Sequence, residues 1–175
     1  MRKQLRLSGS GGQGVITAAI ILAEAAVAEG KEAVQSQSYG PEARGGASKS
    51  EVIIDDKPIF HPHVKRPGLV LAMTQKSADK YYTDLAEDGI LVLDDDLVPN
   101  TPDFPHVIRI PITQLAINQV GKALFANIVA LGAVAHITGI VKFDTVREVV
   151  THRVPPHTVE QNIKALQIGW NAVEK

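Results

Sequence analysis

Between a short β-prone run and a long alanine-rich one lies the segment Ser8-Gly9-Ser10-Gly11-Gly12-Gln13-Gly14. Gln4 to Gly9, "QLRLSG", has the composition of a strand, and Gln13 to Glu29 holds no proline and is rich in helix formers, so the chain must reverse within a few residues. Glycines at positions 9, 11 and 14 let backbone turn sharply, approach a ligand closely and pack a helix against its strand. The amides opening such a helix favour an anion, and Ser8 and Ser10 add hydroxyls. Gly30 ends the helix. A strand, a glycine turn and a helix at the start commit the chain to an α/β architecture.

The remaining segments alternate in the same manner. Glu32 to Tyr39 is expected to be a second strand and Gly40 to Gly46 a loop. Ser48 to Ile54 follows as a strand, turning at Asp55, Asp56 and Lys57 into a short returning strand around Ile59 and Phe60. The apolar run Gly68 to Met73 suits a strand buried on both faces, with Ser77 capping a helix that runs to about Ala86. "GILVLDDD" and "HVIRIPI" are two further strands joined by the proline-rich "DLVPNTPDFP". Helices are expected at Thr113 to Asn118, from about Ala123, at Asp144 to Thr151 and at His157 to Val173. The pattern predicts one Rossmann-like α/β domain, residues 1–175. Its mainly parallel twisted sheet carries helices on both faces, with one short antiparallel hairpin and a helical C-terminal third.

Charge and cysteine content remove several functions. With 18 basic against 19 acidic residues the chain has no extended positive field for a nucleic-acid backbone. It contains no cysteine and so supplies no thiolate to an iron–sulfur cluster. The stretch Ala123 to Val141 lacks formal charge and approaches the length of a membrane span. Asn127, His136 and Thr138 would each need a partner in lipid, so the expectation is a helix buried in the domain or at a subunit contact, with no membrane span. "MRKQLRL" imitates a secretory signal, but four glycines and Glu24 argue against one, and a cytoplasmic location is expected.

Dinucleotide binding requires an acid at the end of the second strand, where the ribose hydroxyls would lie. That end reads Gln35, Ser36, Gln37, Ser38, Tyr39, with no carboxylate before Glu42. A free-standing NAD(P)-linked enzyme is thus the weaker reading of the glycine turn. Gln13, unusual as a helix opener, offers an amide to a loop or to a partner's backbone.

The second loop, in "QSQSYGPEARGGASKSEV", frames Glu42 and Arg44 between Gly40-Pro41 and Gly45-Gly46, a shape suited to exposing one carboxylate and one guanidinium. Together "GSGGQGV" and "QSYGPEARGG" resemble the gamma subunit of the 2-oxoacid:ferredoxin oxidoreductases, over essentially the whole chain. The resemblance implies one subunit of a complex that converts a 2-oxoacid, coenzyme A and oxidised ferredoxin to acyl-CoA, carbon dioxide and reduced ferredoxin. Its first-choice substrate is 2-oxoglutarate; pyruvate, 2-oxoisovalerate and indolepyruvate are the alternatives. Thiamine diphosphate, Mg2+, iron–sulfur clusters and coenzyme A would then be used through alpha, beta and delta-type partner subunits, with ferredoxin reached through the complex and a homodimer as the form of the isolated chain. The resemblance further implies anion-facing, coenzyme A-facing or subunit-docking roles for Gly9, Ser10, Gly11, Gly12, Gln13 and Gly14, and for Ser38, Tyr39, Gly40, Pro41, Glu42, Ala43, Arg44, Gly45 and Gly46. Arg44 either pairs with a phosphate or carboxylate or braces its own loop through Glu42 or a partner's acid. Lys49 is either an anion contact or a solvated lysine at a strand edge. A pure scaffold remains the third reading.

Other chemistry-bearing residues have plainer explanations. His61 and His63 share one face if their segment is a strand, yet no third ligand follows at a usual metal spacing. Asp94 to Asp96 suits a divalent cation less well than solvation and capping of the next segment. His136 is expected to be a hydrogen-bonded core residue, and His152 and His157 flank a proline pair without triad partners.

Overall fold

The computed structural model describes residues 1–11, 13–38 and 47–173. Strands β1 (Lys3–Gly9), β2 (Glu32–Gln37), β3 (Ser48–Asp55), β4 (Leu69–Ala72), β5 (Ile90–Asp94) and β6 (Val107–Ile110) form one sheet in the order β2-β3-β1-β4-β5-β6. β1, β4, β5 and β6 are parallel neighbours, as the alternation of strands and helices requires. β3 runs antiparallel between β1 and β2, so the second strand does not lie against the first.

The hairpin is therefore β2–β3, and the returning strand expected around Ile59 and Phe60 does not form; residues 56–68 are irregular. Both edges of β3 are already paired, and Pro58, Pro62 and Pro67 withhold backbone donors from any further pairing. β2 ends at Gln37, short of Tyr39.

Helices α1 (Val15–Ala28), α4 (Ala126–Thr138), α5 (Phe143–Arg153) and α6 (Val159–Asn171) cover one face, packing on Leu5, Leu7, Val52, Ile54, Leu69, Leu71 and Val92. The other face is thinner. There α2 (Gln75–Tyr81) and its flanking loops cover Val70, Ala72, Leu91 and Leu93. Thr74, not Ser77, caps α2: Ser77 N–H donates to Thr74 Oγ1 at 3.2 Å and Thr74 N–H to Ser77 Oγ at 3.3 Å, a reciprocal pair that makes Ser77 the third helical residue. The helix then tightens into a 3-10 turn, Tyr82–Asp84.

α4 is apolar all round because it is enclosed all round, with Ile128 to Ala135 entirely buried between the sheet, α1 and α6. It is 13 residues long, and among the described residues no helix is long and apolar enough to cross a membrane. α3 (Ile112–Leu115) continues as a π-helical turn, Ala116–Val120, which stops at Gly121 with φ 117°.

Candidate functional site

The glycine turn lies where β1 ends and α1 begins, and it is filled by its own chain. Ser10 N–H donates to Gln13 Oε1 at 2.7 Å, and Gln13 Nε2 donates to the carbonyl of Met73 at 3.2 Å. Gln13 N–H closes the turn onto the Ser10 carbonyl at 3.2 Å. One side chain thus pins the turn to the end of β4. Gly14 adopts a left-handed φ of 73°, and its carbonyl accepts from Asn127 Nδ2 at 3.3 Å. A Cβ would lie 2.3 Å from Gln13 Oε1 on Gly9 and 2.6 Å from Asn127 Nδ2 on Gly14, so a side chain at either position would displace the amide that braces the turn, and at Gly14 it would also meet the left-handed backbone.

These contacts change the reading of the motif. The Ser10 amide, one donor that an anion would use, already has an acceptor. Ser8 offers no hydroxyl to a ligand: it is fully buried and donates to the Leu71 carbonyl at 2.7 Å. Gly11 is exposed and Ser10 half-buried at the surface of the turn. Gln13 does bond loop backbone, as its position suggested: that of its own turn at Ser10 and that of Met73 just past β4. Asn127 escaped the sequence reading; its signal is an amide at the start of an otherwise apolar helix.

β3 begins at the same rim. It sets Ser48 opposite Gly9 and Lys49 opposite Ser8, and Ser38 N–H donates to the Lys49 carbonyl at 3.2 Å. Ser38 thus lies across β3 from the glycine turn, whereas Ala47 leads into β3 itself. Gly12 and Tyr39, Gly40, Pro41, Glu42, Ala43, Arg44, Gly45 and Gly46 lie outside the described residues.

Lys49 is not a strand-edge lysine, because β3 is internal to the sheet. It is half-buried, with Nζ 3.7 Å from Glu51 Oε1 and 5.9 Å from the centre of the Tyr81 ring. Arg6 lies on the same face, buried, and donates to Glu51 at 2.9 Å, to Asp84 at 2.6 Å and to the Val64 carbonyl at 3.2 Å. Its guanidinium stands 5.2 Å from the Tyr81 ring centre and Lys80 Nζ 5.5 Å from it, so three cations surround one aromatic face beside Ala47. The sequence clue was Arg6 itself, a charge between two core leucines in "QLRLSG".

On the opposite flank Asp94 is fully buried rather than solvated. It accepts from Thr113 Oγ1 at 2.5 Å and Thr113 N–H at 3.1 Å, capping α3 across the sheet end, and also from Asp96 N–H at 3.4 Å in the segment that follows it, as expected of this run. Burial pushes its carboxyl above the usual aspartate value, against the opposing pull of the Thr113 hydrogen bonds. Asp95 pairs with Arg109 at 2.6 Å. Between Asp94 and the glycine turn opens a cleft of about 240 Å³ lined by Gln13, Leu97, Thr113, Ala123, Leu124 and Ala126. Leu124 is 72% exposed and Leu97 40% exposed, a solvent-facing apolar lip beside the turn.

His61 and His63 are exposed in irregular chain, not aligned on a strand, and among the described residues no three His, Cys, Asp or Glu side chains gather as a metal group. His136 is held as expected, with Nδ1 2.5 Å from the Trp170 carbonyl and its ring stacked 4.6 Å from the Trp170 ring. His152 bonds the Glu148 carbonyl within its own helix.

The pyruvate ferredoxin/flavodoxin oxidoreductase family model matches residues 4–172, and the chain belongs to this family. It is 44% identical to 2-oxoglutarate synthase subunit KorC of Methanocaldococcus jannaschii, over 100% of this chain and 96% of that subunit. It is 31% identical to pyruvate synthase subunit PorC of Methanothermobacter thermautotrophicus, over 98% of this chain and 96% of that one. The solved gamma subunit of a keto/oxoacid ferredoxin oxidoreductase from Geobacter sulfurreducens matches with a TM-score of 0.91 at 48% identity, covering 98% of this chain and 96% of that one.

Proposed function

We propose that this chain is the gamma subunit of a multisubunit 2-oxoglutarate:ferredoxin oxidoreductase, in which 2-oxoglutarate, coenzyme A and oxidised ferredoxin give succinyl-CoA, carbon dioxide and reduced ferredoxin. The observation that carries the substrate is the full-length identity of 44% to a 2-oxoglutarate synthase subunit against 31% to a pyruvate synthase subunit. The chain has no cysteine for a cluster. Thiamine diphosphate, Mg2+, the clusters and the electron transfer to ferredoxin are accordingly assigned to alpha, beta and delta-type partners in the cytoplasm, and the whole chain acts as one domain.

The chain's own contribution is the rim. To docking and to facing an anion we assign Gly9 to Gly14, where Gln13 and Asn127 brace the described part of the turn, and Ser38 to Gly46, with the apolar lip of Leu97 and Leu124 extending the surface. Lys49, Lys80 and Arg6 hold positive charge around the Tyr81 ring beside Ala47. Arg44 is assigned to the phosphates of coenzyme A or to a partner's acid.

Purification of the chain with the subunits that accompany it, followed by a coenzyme A-dependent viologen reduction assay, tests the reading. The expected result is association with thiamine-binding subunits and a kcat/KM that favours 2-oxoglutarate over pyruvate. Failure to associate, or a preference for pyruvate, overturns it. In the assembled complex Arg44→Ala is expected to raise KM for coenzyme A; an unchanged KM assigns the corner to docking alone.

A further inference from the structure

The two edges of the sheet are protected very differently. β6, at one edge, is four residues long, is flanked by Pro105 and Pro111, and carries Arg109 tied to Asp95 and Thr101. These are the devices that keep an edge from pairing with another strand. β2, at the other edge, has six residues, Glu32-Ala33-Val34-Gln35-Ser36-Gln37, with no proline, no lysine and one charge at its start. Among the described residues its only strand neighbour is β3.

The pairing pattern fixes which backbone groups face outward. Ser38 N–H donates to the Lys49 carbonyl, so Ser38 and, by alternation, Ser36 and Val34 direct their backbone bonds toward β3. Ala33, Gln35 and Gln37 point their N–H and C=O away from the sheet. Above them α1 leaves an apolar groove of about 320 Å³ lined by Ile20, Ala23, Glu24, Val27, Ala33 and Gln35, with Val27 57% exposed. Glu24 is already paired with Arg153, which leaves the groove without a free carboxylate.

We infer that this edge is the contact between two copies of the chain, joined antiparallel through β2 about a two-fold axis at Val34. The occupant follows from self-complementarity. With the axis at Val34, Ala33 of one copy faces Gln35 of the other and the reverse, so every outward N–H and C=O of these two residues finds a partner in the same two residues of the second copy. Glu32 falls opposite Ser36, not opposite its own equivalent, so no like charges meet. The two α1 helices come together over the same edge, each covering the other's Ile20, Ala23 and Val27, and the sheets of both copies become continuous. This inference is independent of the substrate and of any role of the glycine corners.

The test uses the isolated chain, three variants of the edge and one control variant at Lys57. Because the chain has no cysteine, Val34→Cys introduces a single thiol at the two-fold axis, in a non-hydrogen-bonded pair whose Cα separation suits a disulfide. Ala33→Pro removes an outward donor without disturbing the β3 side, a substitution that edge strands tolerate. Val27→Lys places like charges in the shared groove. Sedimentation velocity is expected to show a dimer for the natural chain. Mild oxidation is expected to convert Val34→Cys to a covalent dimer, while a cysteine at exposed Lys57 stays uncrosslinked. Ala33→Pro and Val27→Lys are each expected to raise the dimer dissociation constant roughly tenfold or more, with circular dichroism unchanged. A natural chain that remains monomeric at all concentrations overturns the inference. So does a dimer in which Val34→Cys fails to crosslink, or β2 amides that gain hydrogen-exchange protection only when another kind of subunit is bound.

Discussion

Oε1 of Gln13 occupies the space a Cβ on Gly9 would need: the two atoms would be 2.3 Å apart. Glycine at 9 and glutamine at 13 are therefore one structural unit. Gly9→Ala must eject the Gln13 carboxamide, which costs its bonds to Ser10 N–H and the Met73 carbonyl, about 1–3 kcal/mol. Once Gln13→Ala has emptied the space, adding Gly9→Ala costs less. A double-mutant cycle by urea denaturation is expected to give a coupling of about 1 kcal/mol, with the double variant more stable than additivity predicts. Strict additivity would show that the two positions do not share that volume.

α4 and α6 cross at two glycines, and backbone is what a side chain there would strike. A Cβ on Gly169 would lie 1.8 Å from the Val129 carbonyl oxygen, and one on Gly132 would lie 2.3 Å from that of Leu166. Alanine is worth about 1 kcal/mol more than glycine inside a helix, but neither carbonyl can rotate away. The helices must separate, exposing a seam of the main core. Gly169→Ala is expected to destabilise the chain by about 3 kcal/mol or more, measured as a lower denaturant midpoint, with Gly132→Ala somewhat milder.

Where a segment's surroundings are implied by its composition, the sequence was a good guide. "GLVLAM" had to be buried on both faces, and the run Ile128 to Ala135 had to be enclosed, because neither has a polar side to present to water. The insertion of β3 between β1 and β2 could not be read in the same way. Its alternation of Ser48, Ser50, Val52 and Ile54 against Lys49, Glu51 and Ile53 fits a parallel or an antiparallel neighbour equally, and only the competition for the edge of β1 decides. The expected Ile59–Phe60 strand failed for the same reason, since β3 had no edge left to offer. The glycine turn was found by spacing, but the side chains that fill it were not. GxGxxG describes how closely something approaches the backbone, and here that something is Gln13 and Asn127. Arg6 and Tyr81 were missed because an ion cluster between β1, β3 and α2 is a property of pairing register, not of any local pattern.

Asp94 is held at a raised pKa, chiefly by burial, with the Thr113 hydroxyl and amide pulling the other way. An acid whose folded pKa exceeds its unfolded value, near 3.8, contributes stability that is complete below that value and is lost as pH rises through the folded one. Asp94→Asn cannot ionise but still offers Thr113 an acceptor. Its stability relative to the natural chain is expected to improve steadily as pH rises from about 4 toward neutrality, in denaturant midpoints taken across that range. Asp94→Ala removes the acceptor and leaves two buried donors unpaired, an expected cost of about 1–3 kcal/mol at every pH. A parallel pH dependence for the natural chain and Asp94→Asn would show that Asp94 does not titrate in this window.

Glu29 clamps the end of α1 to the start of α5, and its pH behaviour has the opposite sign. Its Oε2 accepts from Lys142 N–H at 2.7 Å and its Oε1 lies 3.2 Å from Lys31 Nζ, which itself donates to the Ile140 carbonyl at 2.6 Å. Burial alone would raise the carboxyl, but bonds from the Lys142 amide, Thr145 and Lys31 outweigh it, and the pKa falls below the ordinary 4.5. A lowered folded pKa contributes stability that is present above 4.5 and lost as pH drops through the folded value. Glu29→Gln keeps the shape and one acceptor but gives up the charge on the Lys142 amide and on Lys31, an expected loss of about 1 kcal/mol at neutral pH. As the medium is acidified below 4.5 the natural carboxylate is protonated too, so the two stability curves should converge. Because Lys142 opens α5, the loss should appear first as faster hydrogen exchange in residues 140–146, before any change in the sheet. A constant gap between the two proteins from neutral pH down to strong acid would mean that the clamp works through shape alone.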